Sequence, residues 1–219
     1  MNEMSKTIKH HLTDDFLMAY AAGSLPEAFD LMVATHLSLC DDCRARAESF
    51  DAVGGHVLEE QNQPVSVSDE SLSATMALIA QGAPTPKPAR PGCAVLPAPL
   101  QDYVGGNVAD IRWRSIGMGV KQAILPTSQD ATARLLFIPA GAAVPDHGHN
   151  GVELTMVLQG AFSDEVDHFA RGDVEIADED LEHTPVADIG EDCICLAVTD
   201  APLKFSKLMP RLLQPFLRI

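Results

Sequence analysis

The sequence predicts a two-part α + β chain: a small helical bundle followed by an antiparallel β-sandwich or barrel. Three observations carry this. His36, Cys40 and Cys43, spaced H-x3-C-x2-C, close an apolar run of helical period that begins at Ala28. A proline-rich stretch, Gly82 to Gly92, follows the helical part. Beyond it, short apolar runs of strand length alternate with glycine-marked turns. A chain of 219 residues accommodates two small domains, and 46% hydrophobic content suffices for packed cores.

The formal charge is −16, from 31 acidic and 15 basic residues, and both halves share the excess. Neutralising phosphates needs clustered Lys and Arg, so no direct nucleic-acid role is expected. A basic protein partner suits the charge. The N-terminus lacks an apolar signal-peptide core, and no run reaches the length of a membrane span. Five cysteines without a secretory signal are expected to be reduced thiols in the cytoplasm, available for metal or redox chemistry.

The first helix is expected from about Asp14 to Ala22, with Thr13 as N-cap and Phe16, Leu17 and Tyr20 as an apolar stripe. Gly23 stops it. Ser24-Leu25-Pro26-Glu27 then starts a second helix carrying Leu31, Met32, Ala34, Leu37 and Leu39, apolar on more than one face. A third, from about Cys43 to Glu60, contains Gly54-Gly55, and a kink or frayed middle is expected there. After a loop, Ser68-Asp69-Glu70 opens a short fourth helix with Leu72, Met76 and Ile79 along one edge. Such a helix is marginal alone and must dock on the bundle or on another protein. Four prolines between Gly82 and Gly92 make a stiff linker, so the boundaries are set at 1–82, 83–99 and 100–219, and the two parts are expected to fold separately. Strands are expected at Ala133 to Ile138, Glu153 to Leu158, Val174 to Ile176 and Cys193 to Val198. The basic, apolar end from Pro202 reads as an edge strand or a short amphipathic helix.

Two constellations carry metal chemistry. Four residues apart on a helix, His36 and Cys40 share a face, and Cys43 lies one turn on. Two thiolates and one imidazole are three of the four tetrahedral ligands of structural Zn²⁺. His10 and His11 are the nearest candidates for the fourth. A thioredoxin-like redox pair competes with this reading, but that motif normally follows a strand. In the second half, Gly141 to Gly160 reads G-x5-H-x-H-x3-E-x6-G, with His147, His149 and Glu153 as ligand types. His183 follows a later turn. Such a set suits Zn²⁺, Fe²⁺, Mn²⁺ or Ni²⁺. Cys193 and Cys195 share a strand face, as core packing or as a sulfur-based sensor.

The Gly141–Gly160 segment resembles the first motif of the cupin superfamily at every motif position. The second cupin motif is matched loosely: Gly172 opens it and His183 supplies its histidine, while Asp178, Asp180 and Ala187 replace the usual Pro, Gly and Asn. The N-terminal segment independently resembles the zinc-binding anti-sigma domain. There a histidine near the start of the first helix completes the motif, and His11 falls at that place better than His10. Together the two parts resemble ChrR-type anti-sigma factors over nearly the whole chain. The implied fold is a small zinc-binding helical bundle followed by a cupin β-barrel, an antiparallel jelly-roll.

The resemblance implies a non-enzymatic regulator. It would sequester an extracytoplasmic-function sigma factor from RNA polymerase and release it on a stress signal, singlet oxygen or a related oxidant. The implied ligands are His11, His36, Cys40 and Cys43 for Zn²⁺, and His147, His149, Glu153 and His183 for Zn²⁺ or another divalent transition metal. Leu31 and Met32 on the second helix, with Leu72, Met76 and Ile79 on the fourth, are expected to grip the partner. The rival expectation is a metal-dependent cupin oxygenase or isomerase with a helical appendage.

Overall fold

The computed structural model describes residues 7–60, 66–82, 92–148, 150–179 and 181–202. Five α-helices precede an all-antiparallel β-domain: α1 Asp14–Ala21, α2 Glu27–Leu37, α3 Asp41–Glu60, α4 Asp69–Ala80 and α5 Ala98–Val104. A 3₁₀ turn, Val108–Asp110, leads into the strands. They are β1 Arg114–Gly117, β2 Val120–Ile124, β3 Thr132–Ile138, β4 Glu153–Gln159, β5 Ala161–Ser163, β6 His168–Ala170, β7 Val174–Ala177, β8 Val186–Ala187 and β9 Cys193–Thr199. Residues 83–91 of the proline-rich stretch and 203–219 of the C-terminal segment lie outside the described residues.

Gly23 ends α1 as expected, at φ +63°, a conformation that only glycine adopts without strain. Thr13 sits at the N-cap of α1 but makes no side-chain cap bond there. Ser24, in the stretch that starts the second helix, donates from Oγ to the Ala19 carbonyl at 3.1 Å and closes the end of α1. The third helix runs through Gly54-Gly55 without a break. Its first half is anchored by buried Cys43 and Ala47, and residues 51–60 are all exposed, so the glycines leave no packed face empty. The helix bears a propensity cost of about 1 kcal/mol for each of them.

Six strands form the main sheet in the order β1-β2-β3-β9-β4-β7, and β6-β5-β8 form a smaller one. The four expected strands correspond to β3, β4, β7 and β9. Side chains alternate across a pleated strand, so the register divides the main sheet into two faces. One face carries Ala133, Leu135, Phe137, Leu154, Met156, Ile194, Leu196 and Val198. The other carries Gln122, Arg134, Glu153, Thr155, Glu175, Cys193 and Cys195. The first face is apolar and belongs to a single buried cluster with Leu12, Leu17, Phe29, Leu31, Met32, Val33, Leu96 and Leu100. The second face lines the barrel interior.

The two parts of the chain therefore share one core. Helix α2 lies against α5 and against β9, β3 and β4. Glu27, at its start, accepts from the Tyr103 hydroxyl at 2.7 Å and from the Ser128 N–H at 2.6 Å, tying it to α5 and to the turn before β3. Residues 92–99, expected in the linker, contribute buried Leu96 and the start of α5. The expectation of separately folding parts gives way to a helix-on-sheet layer, because neither α2 nor the outer sheet face can leave that much apolar surface in water.

The second half of α3 and all of α4 stand apart from this core. Helix α4 buries no residue, and Leu72, Met76, Leu78 and Ile79 are 56–65% exposed. Its N-terminus is capped by Ser68, whose Oγ accepts from Ser71 N–H at 3.3 Å.

Met32 is completely buried between α2 and the sheet. Met32→Ala should lower the unfolding free energy by about 2–5 kcal/mol. Helical circular dichroism and fluorescence of the single tryptophan, Trp113, which packs on Phe137 of β3, should report coincident transitions in denaturant. Separate transitions for the two probes would contradict a shared core.

Candidate metal centres

The first centre lies where the segment before α1 crosses the α2–α3 corner. His11, His36, Cys40 and Cys43 each offer a ligand atom, and all four atoms lie within 4.8 Å of one another. His11 Nδ1 is 3.3 Å from Cys40 Sγ and 3.5 Å from Cys43 Sγ. His36, Cys40 and Cys43 are buried, and His11 is half-buried. His36 Nδ1 is 3.0 Å from the Gly172 carbonyl, which can only accept, so Nδ1 carries the proton and Nε2 carries the lone pair. That Nε2 is buried without a hydrogen-bond partner among the described residues. Burial holds the His36 imidazole neutral, its pKa lowered to about 4. Burial and the neighbouring Cys40 push the Cys43 thiol up to about 11. An orphaned imidazole nitrogen facing two crowded thiols is the environment a cation relieves, and the donor set fits tetrahedral Zn²⁺.

His10 turns the other way. Its Nε2 meets Asp167 Oδ2 at 3.0 Å, and its ring packs on Phe169 at 4.4 Å. Adjacent residues of an extended segment project to opposite sides, so His11 alone of the pair reaches the cysteines. Sequence reasoning overlooked Arg46. Its Nη1 points to Cys43 Sγ at 3.8 Å while Nη2 pairs with Asp14 at 2.6 Å. Its spacing from Cys43, one helical turn, was the available signal.

The second centre lies inside the barrel. His147 and His183 face each other across an antiparallel bridge, with their Nε2 atoms 3.3 Å apart. His147 Nδ1 donates to the Pro145 carbonyl at 2.9 Å. His183 Nδ1 lies 2.9 Å from Glu175 Oε1 and 3.0 Å from Asp164 Oδ2. Both Nδ1 protons are thereby placed, and both Nε2 atoms point into one shared space. Burial opposes charge on His183, but the hydrogen bond and charge of Glu175 prevail and raise its pKa to about 9. Burial raises Glu175 to about 7 and lowers His147. Glu153 is buried on the same interior face and accepts from Thr155 Oγ1 at 3.2 Å. His149 lies outside the described residues. Sequence reasoning missed Asp164 and Glu175, which with His183 form a second group able to hold a metal. Carboxylates behind a histidine ligand orient it and raise its basicity.

Cys193 and Cys195 face the barrel interior with their sulfurs 3.4 Å apart, and hydrogen bonding to Cys193, then burial, raises the Cys195 thiol. Leu31 and Met32, expected at a partner interface, are 4% and 0% exposed beneath the chain's own sheet. The expectation for that pair is corrected: the apolar side chains of α2 are covered on one side by the bundle and on the other by the barrel. Leu72, Met76 and Ile79 are exposed.

A His₂Cys₂ helical unit thus lies on the outside of a histidine-bearing antiparallel β-barrel. Residues 101–202 match the family described as the ChrR cupin-like domain. The anti-sigma-E factor ChrR of Cereibacter sphaeroides is 62% identical over 213 residues, covering 97% of this chain and all of that protein. A crystal structure of Rhodobacter sphaeroides SigE in complex with the anti-sigma ChrR aligns at a TM-score of 0.78 and 60% identity, over 89% of this chain and all of that one. The chain belongs to the ChrR family of anti-sigma factors, which are regulators and not enzymes. No helix among the described residues is long and apolar enough to cross a membrane.

Cys40→Ser and His11→Ala should each abolish metal binding at the first centre, whereas His10→Ala should retain it. Metal analysis of the three purified variants checks this, and equal loss in the two histidine variants would contradict the assignment of His11.

Proposed function

We propose that this chain works in the cytoplasm, holds an extracytoplasmic-function sigma factor away from RNA polymerase, and releases it on an oxidant signal, singlet oxygen or a related species. The observation that carries the reading is the relative at 60% identity whose structure is a complex of SigE with its anti-sigma factor. The contact surface on this chain is the second half of α3 together with α4. Val53, Val57 and Leu58 on α3, with Leu72, Met76 and Ile79 on α4, are large apolar side chains 49–75% exposed. Faces of this kind are typical of partner sites. The acidic balance of the chain, −16, suits a partner with a basic surface.

In this reading Zn²⁺ occupies the first centre, held by His11, His36, Cys40 and Cys43. It staples a helical unit too small to supply a large core of its own. A second divalent transition metal sits in the barrel, held by His147, Glu153 and His183 together with His149. The buried barrel interior, part polar and part apolar, receives the signal, and a signal releases the partner only by changing the relative stability of the bound and free states.

Met76→Asp should weaken sigma-factor binding at least about tenfold, roughly 1.4 kcal/mol. Because α4 buries nothing in this chain, far-UV circular dichroism and the unfolding midpoint should remain those of the wild type. Co-purification with the cognate sigma factor and a reporter promoter read the effect. Wild-type affinity in the Met76→Asp protein would remove α4 from the interface.

A further inference from the structure

The barrel turn Arg171–Asp173, between β6 and β7, is built into the first metal centre. The Gly172 carbonyl receives the His36 Nδ1 proton at 3.0 Å and so presents Nε2 to the cluster. Asp173 is 2% exposed. Its Oδ1 accepts from the backbone N–H of Lys9 at 2.6 Å and of His10 at 3.0 Å, while Oδ2 accepts from Ala170 N–H at 2.9 Å. The Val174 N–H returns a bond to the His10 carbonyl at 3.1 Å. The next residue along the chain is His11. Gly172 adopts φ +91°, and a Cβ there would fall 2.6 Å from Ile8, so the N-terminal segment is seated directly on the turn. Both histidine arms of the first centre thus take their placement from the barrel: one through its tautomer, the other through its backbone. Glu175 lies two residues beyond Asp173 on β7 and points inward, where it accepts from His183 Nδ1 at 2.9 Å.

We propose that the stretch Gly172–Glu175 is a shared outer support for the two metal centres, with Gly172 and Asp173 positioning the His11 and His36 ligands and Glu175 positioning His183. The inference rests on the metal-binding reading of both clusters. Its physical basis is continuity. Gly172 and Asp173 run directly into strand β7, whose Val174–Ala177 pair with β4, so the four residues form one short, continuous stretch of backbone. A rearrangement around His183 that shifts Glu175 is thereby passed to the Gly172 carbonyl that holds His36, to the Asp173 carboxylate that holds the Lys9 and His10 N–H groups, and to the Val174 N–H bonded to the His10 carbonyl. Coupling of this kind is reciprocal, so occupancy at either centre alters affinity at the other.

The test uses the full-length protein with Co²⁺, whose thiolate charge-transfer absorption reports only a centre that contains cysteine. Wild type, Asp173→Asn and Glu175→Ala are titrated in the presence of a competing chelator. The wild type should develop the band; its absence would refute the metal reading itself and with it the support. In Asp173→Asn the affinity at the cysteine centre should fall about 10–100-fold, the range found for outer ligand partners, with a shifted ligand-field envelope. Asparagine keeps the volume but cannot accept on both sides. In Glu175→Ala, whose substitution lies in the barrel and touches no group of the first centre, the same affinity should fall at least about threefold. Wild-type affinity in a folded Asp173→Asn protein would overturn the positioning role. Wild-type affinity in Glu175→Ala would overturn the coupling. If Asp173→Asn fails to fold, Gly172→Ala, which displaces Ile8, replaces it with the same expected loss.

Discussion

The apolar outer face of the six-stranded sheet is the constraint on which the rest of this structure depends. Strand pleating sends Leu135, Met156 and Leu196 to one side and Arg134, Thr155 and Cys195 to the other. The outer side must be covered, and α2, α5 and the segment before α1 cover it. That covering fixes where the N-terminal residues lie relative to the barrel. It brings His36 to Gly172 and His10 to Asp173, and it uses up the apolar faces of α2. The part of the bundle that the sheet does not reach, the second half of α3 and α4, stays exposed.

Both candidate metal centres follow one electrostatic design. Each buried imidazole commits Nδ1 to an acceptor and thereby turns Nε2 toward the cluster: His36 to Gly172, His147 to Pro145, His183 to Glu175 and Asp164. Buried polar groups need partners, and in each case the partner sits on the side away from the other ligands. The centres differ in charge. The first has thiols and a backbone carbonyl around its histidines, and burial keeps His36 neutral. The second has two carboxylates behind His183, and against burial the hydrogen bond and charge of Glu175 raise that imidazole's pKa.

Helix α4 shows how propensity and packing divide the work. A capped N-terminus, two acidic residues in the first turn and good helix formers make it helical, while its apolar edge finds no cover within the described residues. The doublet Gly54-Gly55 is tolerated for a related reason. It lies on an exposed stretch where a missing side chain leaves no cavity, so the cost is conformational and the helix continues.

The sequence by itself determined the order of elements and the residue types of the first candidate centre. H-x3-C-x2-C on a helical run, the four helices before the proline-rich stretch and the strands β3, β4, β7 and β9 follow from local periodicity, which folding does not alter. The strands β5, β6 and β8 escaped that reading because two or three residues show no period, and β1 and β2 escaped it as well. The tertiary structure decided which surfaces are inside. An apolar residue on α2 reads the same whether a partner or the chain's own sheet will cover it, so Leu31 and Met32 were open until the sheet was in place. The same holds for His10 against His11, which only pairing with Val174 and Asp173 orients. Asp164 and Glu175 behind His183, and Asp173 behind His11, were invisible for one reason: contacts between residues distant in the chain are set by strand register, and no local pattern encodes it.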